Sequence, residues 1–121
     1  AELRGGEGGN RELRAYPIRG DGTLGEHEVL HDFSPHAGID GMCLDSEGNV
    51  VGCAGSEESG PGPMVYVIAP GGRVLATHPY PGTRPTNCAF GGPERRTLYV
   101  TGFDSGLHRA ETDRQGALGA P

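Results

Sequence analysis

The chain has 121 residues, including 23 glycines and 10 prolines, and its formal net charge is −6. This length supports one domain with a modest core, and the scattered arginines argue against a nucleic-acid or anionic-membrane partner. No apolar run reaches the length of a membrane-spanning helix. No targeting segment is visible, so the sequence does not determine the cellular compartment, with the cytoplasm slightly favoured.

The first third of the chain predicts two strands joined by a tight turn. Residues 1–4 are typical of the end of a strand, and residues 5–10 are predicted to form a glycine-rich loop. Residues 12–18 alternate apolar and polar side chains, which predicts a strand. An Asp-Gly pair within residues 19–22 predicts a hairpin turn, and residues 26–33 are predicted to return as the second strand.

Two short strings in this region match known motifs without their structural context. His27 to His31 spells H-E-x-x-H, a zinc-protease motif that requires a helix. On a strand these two histidines lie about 13 Å apart, too far for one zinc ion with bonds of about 2 Å. Residues 20–25 spell G-x-G-x-x-G, but a strand follows where a dinucleotide site needs a helix. The sequence therefore predicts a hairpin with neither activity.

The rest of the chain predicts short strands separated by glycine-containing turns. An acidic, proline-containing loop is predicted over residues 55–63, and a turn at Gln115-Gly116. None of these segments shows the apolar period of a helix. The predicted strands in this part of the chain are residues 41–44, 49–54, 64–69, 73–78, 86–90, 97–100 and 106–111.

A repeat organises these strands. Asp40 opens one polar–strand–turn–strand phrase, and Thr86 opens a similar phrase 46 residues later. A period of roughly 40–50 residues with four antiparallel strands per unit is typical of a propeller blade. We therefore predict an all-β partial six-bladed β-propeller of about two to two and a half blades. Its parts are the outer strands of one blade (1–33), one full blade (38–80) and an incomplete final blade (85–121).

These phrases resemble the gluconolactonase family, which includes regucalcin (senescence marker protein) and luciferin-regenerating enzymes. The resemblance is carried by Gly38-Ile39-Asp40-Gly41-Met42, by the Asp45-Ser46-Glu47-Gly48-Asn49 turn and by the phrase that begins Thr86-Asn87-Cys88. It covers nearly all of the chain but only the C-terminal two-fifths or so of the family domain. It implies a six-bladed propeller that hydrolyses sugar lactones with a divalent cation in its central channel.

The resemblance also implies which residues act. Asp40 corresponds to a metal ligand and is the candidate catalytic residue, as ligand, as base or as both. The remaining ligands are expected upstream of Ala1. Thr86 holds in its repeat the position that Asp40 holds in the previous one, so it is a candidate substrate-binding residue that lines the channel. The metal could be Ca²⁺, Zn²⁺, Mg²⁺ or Mn²⁺, since all of these accept carboxylate oxygen. A metal-activated water would attack the lactone carbonyl.

Alternatives remain open at this point. A propeller that binds calcium or a protein without catalysis would show the same sequence pattern. Open blade edges would let the chain self-associate. His36, in the loop before Asp40, and the acidic pair Glu57-Glu58 could lie at the channel mouth. The three cysteines lie in apolar strand contexts, which predicts buried free thiols, with a disulfide as the alternative.

Overall fold

The structure is a computed structural model that describes residues 11–118, without the side chains of Ser59 and Gly60. The strand end and loop predicted over residues 1–10 lie outside the described residues. Within the described range the secondary structure consists of nine β-strands in three antiparallel sheets, which confirms an all-β fold. Their bounds are β1 Glu12–Ala15, β2 Glu28–Asp32, β3 Ile39–Leu44, β4 Val50–Ser56, β5 Ser59–Ile68, β6 Val74–Pro79, β7 Pro85–Gly91, β8 Thr97–Gly102 and β9 Gly106–Glu111. None of residues 11–118 belongs to a helix long and apolar enough to cross a membrane.

The N-terminal sheet is the predicted hairpin of β1 and β2. The two strands pair antiparallel, and an isolated bridge between Ile18 and Leu24 extends them toward the turn. Asp21 accepts hydrogen bonds from the backbone and hydroxyl of Thr23, and Gly22 adopts φ +86°. Strand β2 therefore occupies the H-E-x-x-H string, for which a zinc protease requires a helix, and a zinc-protease site is excluded.

The central sheet has the strand order β3-β4-β5-β6. Its turns place glycine at positive φ, at Gly48 and Gly72, where a residue with a side chain would be strained. The prediction of a loop over residues 55–63 is wrong. Strand β4 continues to Ser56, and β5 starts at Ser59. The two strands stay paired here with an irregular register, because Gly55 and Gly62 both adopt positive φ.

The C-terminal sheet has the order β7-β8-β9, and the chain then returns to the central sheet. The prediction of a turn at Gln115-Gly116 is wrong. Gly116 instead forms an antiparallel bridge with Asp45, the Ser46 amide donates to the Gln115 carbonyl, and the Ala117 amide donates to Leu44. This returning segment ties the C-terminal sheet to the first hairpin of the central sheet.

The central sheet is buried on both faces because its strands alternate apolar side chains between two cores. Val51 and Cys53 of β4 face the C-terminal sheet, whereas Ala54 faces the N-terminal sheet. The two cores between neighbouring sheets are Val51, Cys53, Val65, Val67, Tyr80, Cys88, Leu98 and Val100, and Leu13, Phe33, Ile39, Ala54 and Ile68. The three sheets are therefore layered, with the starts of β3 and β7 adjacent.

Candidate functional site

Asp40 is the second residue of β3 and is exposed, directly after Ile39, which is buried in the core. The pairing of β3 with β4 is interrupted between Ile39 and Met42, so the backbone around Asp40 departs from the regular ladder. Within residues 11–118 its carboxylate has no hydrogen-bond or ion-pair partner. Asp40 thus presents an unpaired carboxyl group at the start of the strand.

Strand β7 lies against β3 at this point, with almost no space between them. A Cβ added to Gly41 would lie 2.5 Å from the Thr86 carbonyl oxygen and would also meet the Asn87 side chain. The close approach of the two strands therefore depends on glycine at position 41. The structure brings Asp40 and Thr86, predicted from the repeat, to neighbouring strands at the same end of their sheets.

The Thr86 hydroxyl is held within the C-terminal sheet. Its Oγ1 lies 3.1 Å from the Thr101 carbonyl oxygen and 2.9 Å from the Thr101 Oγ1. The hydroxyl proton can go to that carbonyl, which leaves a lone pair of Thr86 to accept a hydrogen bond from a ligand. Asn87, which sequence reasoning missed, has its Oδ1 on the Cys88 amide at 2.9 Å and is otherwise exposed.

Two predicted neighbours of Asp40 have different positions. The hairpin carrying Glu57 and Glu58 lies at the same end as Asp40, because Ile39 pairs with Ala54 near the end of β4. The Glu57 amide donates to the Thr83 carbonyl at 3.2 Å, which fixes that hairpin to the loop before β7. His36 is exposed in the loop before β3, and in the described part of the chain its side chain makes no hydrogen bond or ion pair with Asp40.

A second polar cluster was missed because its members are distant in sequence. The Tyr80 hydroxyl lies 2.9 Å from His108 Nδ1 and 3.1 Å from Ser105 Oγ, although the tyrosine is only 6% exposed. The cluster borders a groove of about 540 Å³ between β6 and β9, whose floor is apolar (Val51, Val65, Val67, Leu98 and Val100). Only packing of the two sheets brings these residues together.

Asp45 is a second acid of the repeat phrase, and its role is structural. It is 3% exposed and accepts hydrogen bonds from the Glu47 amide, from the Asn49 amide and side chain, and from Arg114. Burial by itself would raise the pKa of Asp45, but the hydrogen bonds outweigh it and hold that pKa below its usual value. With its oxygens occupied, Asp45 is not available to a ligand.

A family model described as the SMP-30/gluconolactonase/LRE-like region matches residues 7–103. The chain belongs to this family. Within the SMP-30/gluconolactonase/LRE-like family it is 37% identical over 94 residues to a 6-deoxy-6-sulfogluconolactonase of Pseudomonas putida. It is also 30% identical over 96 residues to a regucalcin of Xenopus laevis. These matches cover 76% and 78% of the chain but only 31% and 30% of the relatives. The chain thus spans about a third of the length of these relatives.

Two solved family structures share the fold. A luciferin-regenerating enzyme superposes with a TM-score of 0.73 and 22% identity, over 90% of this chain and 41% of its own. A regucalcin of Agrobacterium tumefaciens, described as a calcium-binding protein, superposes with a TM-score of 0.68 and 23% identity, over 92% of this chain and 41% of its own. The layered antiparallel sheets are therefore the arrangement of the SMP-30/gluconolactonase/LRE-like fold.

The donor set beside Asp40 fits a hard cation in kind but not in number. An exposed carboxylate without a partner is the oxygen donor that Ca²⁺ or Mg²⁺ takes. Among residues 11–118, however, no three His, Cys, Asp or Glu side chains are grouped so that they could hold a metal ion. Asp40 alone offers one carboxylate, fewer than the roughly six to eight oxygen ligands that Ca²⁺ takes.

Proposed function

We propose that the chain is the C-terminal part of a six-bladed β-propeller. Residues 1–33 would supply outer strands of one blade, residues 38–80 a full blade and residues 85–121 an incomplete final blade. The arrangement of the sheets supports this proposal: the central sheet has four strands, and the C-terminal sheet repeats the first three of them. The adjacent starts of β3 and β7 would then line the central channel.

The whole protein would act as a divalent-metal-dependent hydrolase of sugar lactones. The observation that carries this proposal is the unpaired, exposed Asp40 at the start of an inner strand, in a chain 37% identical to a sulfogluconolactonase. When bound, a divalent cation would polarise the lactone carbonyl and activate water for attack on it. The candidate cations are Ca²⁺, Zn²⁺, Mg²⁺ and Mn²⁺.

Two residues of this chain would contribute to catalysis. Asp40 would supply a carboxylate oxygen to the cation, and a carboxylate in that position can also accept the proton of the attacking water. Thr86 would accept a hydrogen bond from a hydroxyl of the sugar, because its own proton is directed to Thr101. The close contact at Gly41 would fix the spacing between these two residues.

The activity of the complete protein tests this proposal. We expect Asp40→Ala to lower kcat/KM for gluconolactone hydrolysis at least about 100-fold. Asp113→Asn removes an equally exposed carboxylate after β9 and serves as the matched control, expected to retain wild-type activity. Equal activity of Asp40→Ala and the wild type would refute the assignment.

The second candidate is a propeller that binds calcium or a protein without catalysis. It is favoured by the 30% identity to regucalcin and by the fold shared with a structure described as calcium-binding. A complete protein that binds Ca²⁺ through Asp40 but hydrolyses no sugar lactone would establish this alternative.

A further inference from the structure

Two thiols face each other across the junction of the central and C-terminal sheets. The Sγ atoms of Cys43, on β3, and Cys88, on β7, are 3.6 Å apart, and all three cysteines are free. Cys43 follows Asp40 by three residues and Cys88 follows Thr86 by two. The pair therefore lies between the same two strands that carry the candidate site.

The two thiols differ in access. Cys43 is half-buried, whereas Cys88 is 7% exposed and donates to the Val51 carbonyl at 3.3 Å. Cys53, on β4, also interacts with Cys88 but is 0% exposed, so no reagent reaches it in the folded protein. Access thus singles out Cys43 as the thiol that a reagent meets first and Cys88 as its neighbour.

We propose that Cys43 and Cys88 form a reversible disulfide that joins β3 to β7 when the protein meets a low-molecular-weight disulfide. The Cys43 thiolate attacks the reagent, which forms a mixed disulfide and releases one small thiol. The Cys88 thiolate then attacks the Cys43 sulfur, which forms the protein disulfide and releases the second small thiol. The two protein thiols are oxidised, and the reagent is reduced to two thiols.

The two sulfur atoms are close enough that the bond needs only a short approach. The sulfur atoms must approach from 3.6 Å to roughly 2.05 Å. The strands already lie in close contact at Gly41, two residues before Cys43. The hydrogen bond with Cys88 and burial raise the pKa of Cys43, so the reaction is slow at neutral pH.

A bond at this position would have two effects. It would close a loop across 45 positions of the chain, which stabilises the folded state by restricting the unfolded one. It would also fix the separation of the strands that carry Asp40 and Thr86. This inference does not depend on the proposed lactonase activity, because it concerns only the two thiols.

The experiment incubates the 121-residue chain with oxidised glutathione and follows its mass. We expect the monomer to lose two hydrogen atoms, to regain them with a reductant and to unfold at least about 5 °C higher in its oxidised form. No arginine or lysine separates Cys43 from Cys53, so trypsin must be combined with a protease that cuts after Glu47. The linked peptides should then contain Cys43 and Cys88.

Single variants provide the controls. Cys53→Ala retains both thiols of the pair and should oxidise like the wild type, whereas Cys43→Ala and Cys88→Ala should not lose the two hydrogen atoms. Oxidation of Cys43→Ala to an internal disulfide would overturn the proposal. So would a wild-type product that holds only glutathione adducts or disulfides between chains, a result that does not depend on how the variants fold.

Discussion

Replacement of Gly41 by alanine tests the contact that brings the two strands of the candidate site together. The added Cβ would lie 2.5 Å from the Thr86 carbonyl oxygen, whereas ordinary contact begins at 3.4 Å, so the strands must separate by about 0.9 Å. The nearest backbone atom cannot rotate away as a side chain could. Overpacking of this kind costs about 1–3 kcal/mol of unfolding free energy, and we expect Gly41→Ala to fall in that range.

Urea unfolding at neutral pH, followed by circular dichroism, measures this cost. Gly71→Ala is the matched control, because a Cβ at that turn meets no atom within 4 Å. We expect the control to change the unfolding free energy by less than about 1 kcal/mol. If Gly41→Ala unfolds at the same urea concentration as the wild type, with the same slope, the strands are not in the contact described and the reasoning fails.

Three further predictions concern stability, metal binding and association. Asp45 has a lowered pKa in the folded state, so its stabilisation is complete above about pH 4 and is lost as the pH falls. Asp45→Asn should therefore lower the free energy of unfolding at pH 7 by about 1–3 kcal/mol. Its free energy of unfolding should also change less than that of the wild type between pH 5 and pH 3, and an unchanged dependence on pH would contradict this. Calorimetry of the 121-residue chain should give a Ca²⁺ dissociation constant above about 1 μM, since a single carboxylate is a poor site. Tighter binding would contradict the proposal that this chain supplies only one metal ligand. The outer edge of β9 has no strand partner in the described structure, so sedimentation should show concentration-dependent association, and a monomer at every concentration would refute it.

Several sequence-based expectations were confirmed because they depend on local chemistry. The Asp-Gly turn at residues 21–22, the strand over H-E-x-x-H and strand β9 follow from turn residues and short-range alternation. Two expectations failed for a tertiary reason. Residues 55–63 are polar and glycine-rich, yet they continue the hairpin of β4 and β5, and Gly116 pairs with Asp45 from a distant part of the chain.

The sequence by itself determined the all-β class, the family and the identity of Asp40 and Thr86 as paired positions of a repeat. These follow from the order of residues along the chain, which carries turn chemistry, alternation and period. The tertiary structure alone decided that β7 packs on β3 at Gly41, that Asp45 is enclosed by Arg114 while Asp40 is left exposed, and that Cys43 meets Cys88. Contacts between residues about 45 or more positions apart depend on how whole sheets pack, and no short-range pattern encodes that packing.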